Sequence, residues 1–293
     1  MGFLAAAGPW PAAHAGVLRA CDQPTDRTPR QQDALLRFGA AIKAELEQSG
    51  RGVALVSRSG TDLSRFGVRY SHAGLSVRAG LDTTWAVRQL YFACDDRKPR
   101  LFDQGMAGFV MGTYEPDIGY VSVVLLPEAD SQGLQRAVLD TRLALQILAD
   151  DYSANAYPFS RRYQNCNQWV AELLAAARGE LARSDDTRGQ AQQWLKDNGY
   201  APTVFDVQPR PLMWIAPLLP ALHTDDHPPE DLAQSVFRVS MPAALEGFVR
   251  QLLPLAERLE FCHDSRHIVV HRGWSPLPEG CEPAEGDTVL PFD

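Results

Sequence analysis

Two side chains have the types needed for nucleophilic acyl chemistry: the thiol of Cys166 and the imidazole of His72, far apart along the chain. Cys166, Trp169, Val170, Leu173, Leu174 and Ala177 recur at three- and four-residue steps, which predicts a helix with the cysteine in its first turn, facing the core. Asn165 precedes it as an N-cap. The unpaired N–H groups and positive dipole end of a helix start favour a thiolate, so a lowered thiol pKa is expected. The competing reading is a small apolar residue that merely begins a core helix. His72 lies in Tyr70-Ser71-His72-Ala73-Gly74, among small residues that leave room beside its ring. A neutral imidazole there can take the thiol proton and return it to a leaving group; the competing reading is a core histidine tied to a backbone carbonyl.

Such a base needs a partner on its far ring nitrogen. The strand-like run 85–93 offers Gln89, which shares a face with Trp85, Val87 and Tyr91, while Arg88 lies on the other face and is the weaker candidate. The expectation is a hydrogen-bond-like sulfur-to-nitrogen distance between Cys166 and His72, or one modestly longer without ligand, with Gln89 fixing the ring.

Other clusters suggest less chemistry. His263, His267 and His271 are spaced by four, but the surrounding RHIVVHR reads as strand, where that step is about 13 Å and too long for one ion. His223, Asp225, Asp226 and His227 read as a solvated turn before two prolines. No metal and no cofactor is assigned.

Helices are expected over 28–48, 134–148, 166–177, 185–197 and 242–253, and strands over 52–57, 68–77, 85–93, 119–126 and 236–239. Residues 259–271 read as a strand or hairpin, and 101–111 is ambiguous. This order is α+β, with the helix bearing the cysteine packed on a central sheet. Residues 1–15 form an apolar, uncharged segment ending in Ala13-His14-Ala15, which resembles the end of a secretory signal. Residues 16–200 form the expected catalytic core, and the Pro-rich residues 201–293 a loop-rich extension packed on it. Five cysteines leave at least one unpaired; Cys262 with Cys281 is the expected bridge, and Cys21 with Cys94 a weaker one.

The 293 residues carry a formal net charge of -8, the wrong sign for binding nucleic acid. A hydrophobic share of 45% is enough to bury a full core, yet no apolar run is long enough for a membrane-spanning helix. A strand with Ser-His-x-Gly, a strand with a polar partner, and Asn-Cys opening a helix together resemble the circularly permuted branch of the papain-like superfamily, which includes NlpC-type peptidases and the lecithin retinol acyltransferase group. More of the chain resembles a bacterial family known as domain of unknown function 2145, in the stretches 70–77, 85–90, 155–177, 191–203 and 225–228. The resemblance implies a permuted papain-like fold with a central antiparallel sheet. It also implies attack of Cys166 on an acyl carbon of a peptide, amide, ester or thioester, in the periplasm or cell envelope. Many relatives are expected to carry histidine at the position of Gln89, which can orient a ring but cannot carry charge. The implied oxyanion hole uses the Cys166 N–H, with Tyr163, Gln164 or Asn165 as second donor or substrate contact. The alternative function is a non-catalytic binding or scaffold protein that keeps the cleft.

Overall fold

The run VALVSR, rich in β-branched residues, forms the middle of an antiparallel sheet, and all six of its residues are buried. The computed structural model describes residues 27–80, 83–181, 183–207 and 221–292. In chain order the elements are α1 (Pro29–Gln48), β1 (Val53–Arg58), β2 (His72–Val77), β3 (Ala86–Ala93), β4 (Lys98–Gln104), α2 (Met106–Val110), β5 (Gly119–Leu125), α3 (Glu128–Leu139) and α4 (Thr141–Gln146). There follow α5 (Cys166–Arg178), α6 (Thr187–Asp197), β6 (Thr203–Asp206), α7 (Pro229–Ala233), β7 (Val236–Val239), α8 (Pro242–Leu252), β8 (Glu257–His263), β9 (His267–Arg272) and β10 (Thr288–Pro291). The large sheet runs β10-β9-β8-β5-β1-β2-β3-β4, and every neighbouring pair is antiparallel.

Alternation along the strands sends side chains to two cores. Val53 and Leu55 of β1, with Ala73, Leu75 and Val77 of β2, pack under α5, α3 and α8. Ala54 and Val56 face Phe38 and Ile42 of α1 and Phe109 of α2. The fold is therefore mixed α+β, built on a large antiparallel sheet. Strands β8 to β10 extend the sheet begun by the earlier strands, with β8 hydrogen-bonded to β5 over 119–125. No helix among the described residues is long and apolar enough to cross a membrane.

Several expected boundaries move. The strand expected over 68–77 begins at His72, because Gly67 turns the chain at φ 68° and Val68 bridges back to Leu63. The single helix expected over 134–148 breaks at Asp140, whose extended backbone ends one helix while its carboxylate caps the next through the N–H groups of Arg142 and Leu143. The ambiguous stretch after 101 resolves into the end of edge strand β4, paired with β3 along its length, followed by α2. In the Pro/Glu/Gly-rich tail, β10 pairs with β9. Cys262 and Cys281 form the expected disulfide, with their Cα atoms 5.6 Å apart. The expected Cys21–Cys94 bridge and the signal-like segment 1–15 lie outside the described residues, in Cys21 and in the segment itself.

Helix α5 is buried on nearly every side. Opposite its apolar stripe, the fully buried Glu172 accepts from Arg188 at 2.9 Å, Gln168 at 3.0 Å and Gln192 at 2.7 Å, and from Gln164 at 2.5 Å. These bonds tie the loop before α5, and α6 after it, to the helix that carries the cysteine. Removing the cation strands a carboxylate in the core. Arg188→Met should therefore lower unfolding free energy by about 3–5 kcal/mol, read as a lower urea midpoint at unchanged slope. A loss below about 1 kcal/mol would show that the network is not holding the fold.

Candidate active site around Cys166 and His72

Strands β2 and β3 are paired only between 75–77 and 86–88. Toward the start of β2, the N-terminus of α5 supplies the partner instead. The Ala73 N–H donates to Asn167 Oδ1 at 2.8 Å, and Asn167 Nδ2 donates to the carbonyls of Ser71 at 3.2 Å and Ser240 at 3.0 Å. Asn167 thus grips the backbone on both sides of His72 and holds the preceding Cys166 against the Ala73 N–H. Asn165 caps the helix, accepting from the Gln168 N–H at 2.7 Å.

The imidazole of His72 is fixed by Gln89, with Nε2 and Oε1 2.7 Å apart. A carbonyl oxygen only accepts, so Nε2 carries the proton and Nδ1 keeps the lone pair. Gly74 permits this approach: a Cβ there would meet the Arg88 carbonyl and the Gln89 Cβ, both at 3.2 Å. Tyr91 stacks on the imidazole at 5.1 Å between centroids, and Phe109 lies 6.2 Å away.

His72 stands on the face of β2 shared with Gln89 and Tyr91, whereas Cys166 packs with Ala73 and Leu75 on the other. Cys166 is engaged by the Ala73 N–H, one residue along the strand from His72, and no hydrogen bond joins the two side chains. Burial pushes the Cys166 thiol up to about 11, against the opposing pull of the Arg58 charge and the N–H groups of Asn167, Ala73 and Cys166 itself. Burial also lowers the His72 pKa to about 3; the Arg58 charge adds to this and the bond to Gln89 opposes it. At neutral pH the resting pair is a neutral thiol and a neutral imidazole. The expected lowering of the thiol pKa is therefore reversed, because desolvation outweighs the helix start.

The other expected contributors have visible tasks. Gln164 is buried and engaged by the Ala149 N–H, the Ile147 carbonyl and Glu172. The Asn165 amide donates to the carbonyls of Ala154 and Ser240. Tyr163 stacks on His223 at 4.3 Å. Arg88 is held by Asp103 at 2.8 and 2.7 Å and by the Val138 carbonyl, away from the imidazole. The turn expected to be solvated is partly buried. The Asp226 carboxylate accepts the Tyr157 N–H at 2.9 Å, and His227 Nε2 lies 2.7 Å from the Asn155 carbonyl, so the pair anchors the loop ahead of α5. His263 is buried against Phe38, while His271 pairs with Asp287 at 2.7 Å.

Two neighbours were missed in the sequence. Asn167 is polar on a helix buried all round, and such a group must find partners. Arg58 ends β1 within the strand, where it looked like the first loop residue.

Two pH dependences follow. Alkylation of Cys166 by iodoacetamide should rise about tenfold per unit from pH 7 to 10, since the reactive thiolate is scarce below the thiol pKa; a plateau by pH 8 would contradict a thiol held near 11. His72 has a folded pKa below its ordinary 6.5, so the unfolded chain takes up a proton that the folded one does not. Its contribution to stability is full above pH 6.5 and lost as pH falls toward 3. His72→Asn should flatten that part of the urea-midpoint profile, and an unchanged slope would contradict the lowered pKa.

A family model described as "Uncharacterized protein conserved in bacteria (DUF2145)" matches residues 45–249, a stretch that contains Arg58, His72, Gln89 and Cys166. No curated protein and no solved structure matches the chain. With the match covering most of its length, the chain belongs to the bacterial family DUF2145.

Proposed function

We propose that this protein is a thiol-dependent hydrolase or acyltransferase of the bacterial cell envelope, with Cys166 as nucleophile, His72 as base and Gln89 as the group that orients it. The reading rests on one observation: an imidazole whose Nε2 is fixed by Gln89 at 2.7 Å sits on the strand to which the N-terminus of the cysteine helix is bonded. A permuted papain-like arrangement is part of the same reading. The envelope location rests on the signal-like segment 1–15.

The chemistry starts from the neutral pair. As Sγ attacks the acyl carbon, its proton passes to Nδ1 of His72, and Gln89 holds the resulting imidazolium in place. The N–H groups of Cys166 and Asn167 at the helix start are the donors available to the tetrahedral oxyanion. Collapse breaks the bond to the amine, alcohol or thiol leaving group, which takes the proton from His72 and leaves a thioester. Water or an acceptor nucleophile then gives a proton to His72, attacks the thioester and releases the acyl group, restoring the thiol. Entry of substrate must bring the imidazole and Sγ into proton-transfer contact, because they share no hydrogen bond at rest.

A second reading, a binding or scaffold module that keeps the cleft without turnover, draws on the neutral buried thiol. Labelling with an acyl-directed electrophile such as an acyloxymethyl ketone, followed by mass spectrometry of the modified peptide, separates the two. The enzyme reading expects adducts on Cys166, none in Cys166→Ala, and a loss of about a hundredfold or more in labelling rate in His72→Ala. Gln89→Ala should cost less than His72→Ala, since it removes orientation and not a proton carrier. Labelling of Cys166 that ignores His72 would favour the binding module.

A further inference from the structure

Arg58 is the most deeply buried arginine described, 3% exposed, and lies directly across from His72 in the β1–β2 register. Two other buried arginines have carboxylate partners: Arg188 pairs with Glu172, and Arg258 with Glu246 and Glu260. Arg58 has none among the described residues. Its Nη2 donates to the Tyr91 hydroxyl at 3.1 Å, its guanidinium lies over the Phe109 ring at 5.5 Å, and its buried Nε has no hydrogen-bond partner. The fork is seated against glycine backbone. A Cβ at Gly112 would fall within 2.4 Å of three guanidinium atoms, and one at Gly60 within 2.9 Å of Nη1. The chain thus makes close room for a cation and supplies no anion, although an unpaired buried charge costs several kcal/mol.

We propose that Arg58 binds a carboxylate of the substrate, so that this protein acts on acyl compounds carrying a free carboxylate near the bond to be broken. The proposal rests on the reading of Cys166 as nucleophile and adds its substrate class. An arginine fork is matched to a carboxylate, and a desolvated site strengthens the pair. The position suits the task. Tyr91, which receives the Arg58 hydrogen bond, also stacks on His72, so the anion would sit beside the catalytic imidazole. Binding would also change the chemistry. The Arg58 charge disfavours protonation of His72. A substrate carboxylate cancels that charge and makes the imidazole a stronger base only when the right substrate is present.

Iodoacetate and iodoacetamide test this, since they deliver the same reacting carbon with and without a carboxylate. Rates of Cys166 alkylation by each are measured on the full-length folded protein, with the same protein in urea as reference. The iodoacetate-to-iodoacetamide ratio should be about tenfold or more above the unfolded reference, the size of one charge-assisted hydrogen bond. Arg58→Gln should bring it down to the reference, and Arg58→Lys, which keeps the charge without the fork, should retain part of it. A wild-type ratio equal to the unfolded reference overturns the proposal even if Arg58→Gln does not fold, and so does a raised ratio that survives Arg58→Gln. If iodoacetamide labelling depends on His72 and no carboxylate preference exists, the substrate class alone is wrong. If neither reagent reaches Cys166 in the folded protein, the nucleophile reading falls with it.

Discussion

Asn167 makes three hydrogen bonds to the backbone: two to the residues flanking His72, which join the cysteine helix to the sheet, and one to the Ser240 carbonyl beyond it. At the start of β2 these bonds stand where β3 no longer pairs, since the β2–β3 register covers only 75–77 and 86–88. His72 and Gln89 lie on one face of the sheet and Cys166 on the other, with the Ala73 N–H bonded to Asn167 next to the cysteine. The polar side of α5 serves the same geometry. Glu172 collects Gln164, Gln168, Arg188 and Gln192, so the loop before the cysteine and the helix after it are both fixed to α5.

Burial governs the electrostatics at this position. A helix N-terminus and three nearby N–H groups all favour the thiolate, yet Cys166 is protonated at neutral pH because desolvation outweighs them. The same desolvation keeps His72 neutral. Two neutral groups at rest are quiet toward adventitious electrophiles, and in the proposed chemistry it is substrate that must couple them. Among the described residues, the Arg58 charge acts on both, and in a consistent direction, against imidazolium and for thiolate.

Much of this was legible in the sequence because the signals were local. The stripe from Cys166 to Ala177 defines a helix by its own spacing, and the N-cap of Asn165 is a short-range property. Gln89 stood out as the polar residue in an apolar strand, and Gly74 as the space that lets it approach. The Cys262–Cys281 bridge was accessible from the same kind of reading. What escaped depends on tertiary contact. The partners of Asn167 come from 71–73 and 240. The burial of Asp226 and His227 depends on Tyr157, Asn155 and Phe237. Strand β4 is polar and sits at the sheet edge, so periodicity had no apolar face to report. The sign of the thiol pKa turned on desolvation, which no spacing encodes.

The central claim is that Cys166 forms a covalent acyl intermediate with the help of His72. Intact-mass spectrometry after rapid acid quench of the protein mixed with p-nitrophenyl acetate tests it most directly. The account predicts one added acetyl group, mapping to Cys166, that forms within the burst of p-nitrophenol release and is strongly reduced in His72→Ala. Acetylation confined to lysines, or a Cys166 adduct that forms equally fast without His72, would contradict it.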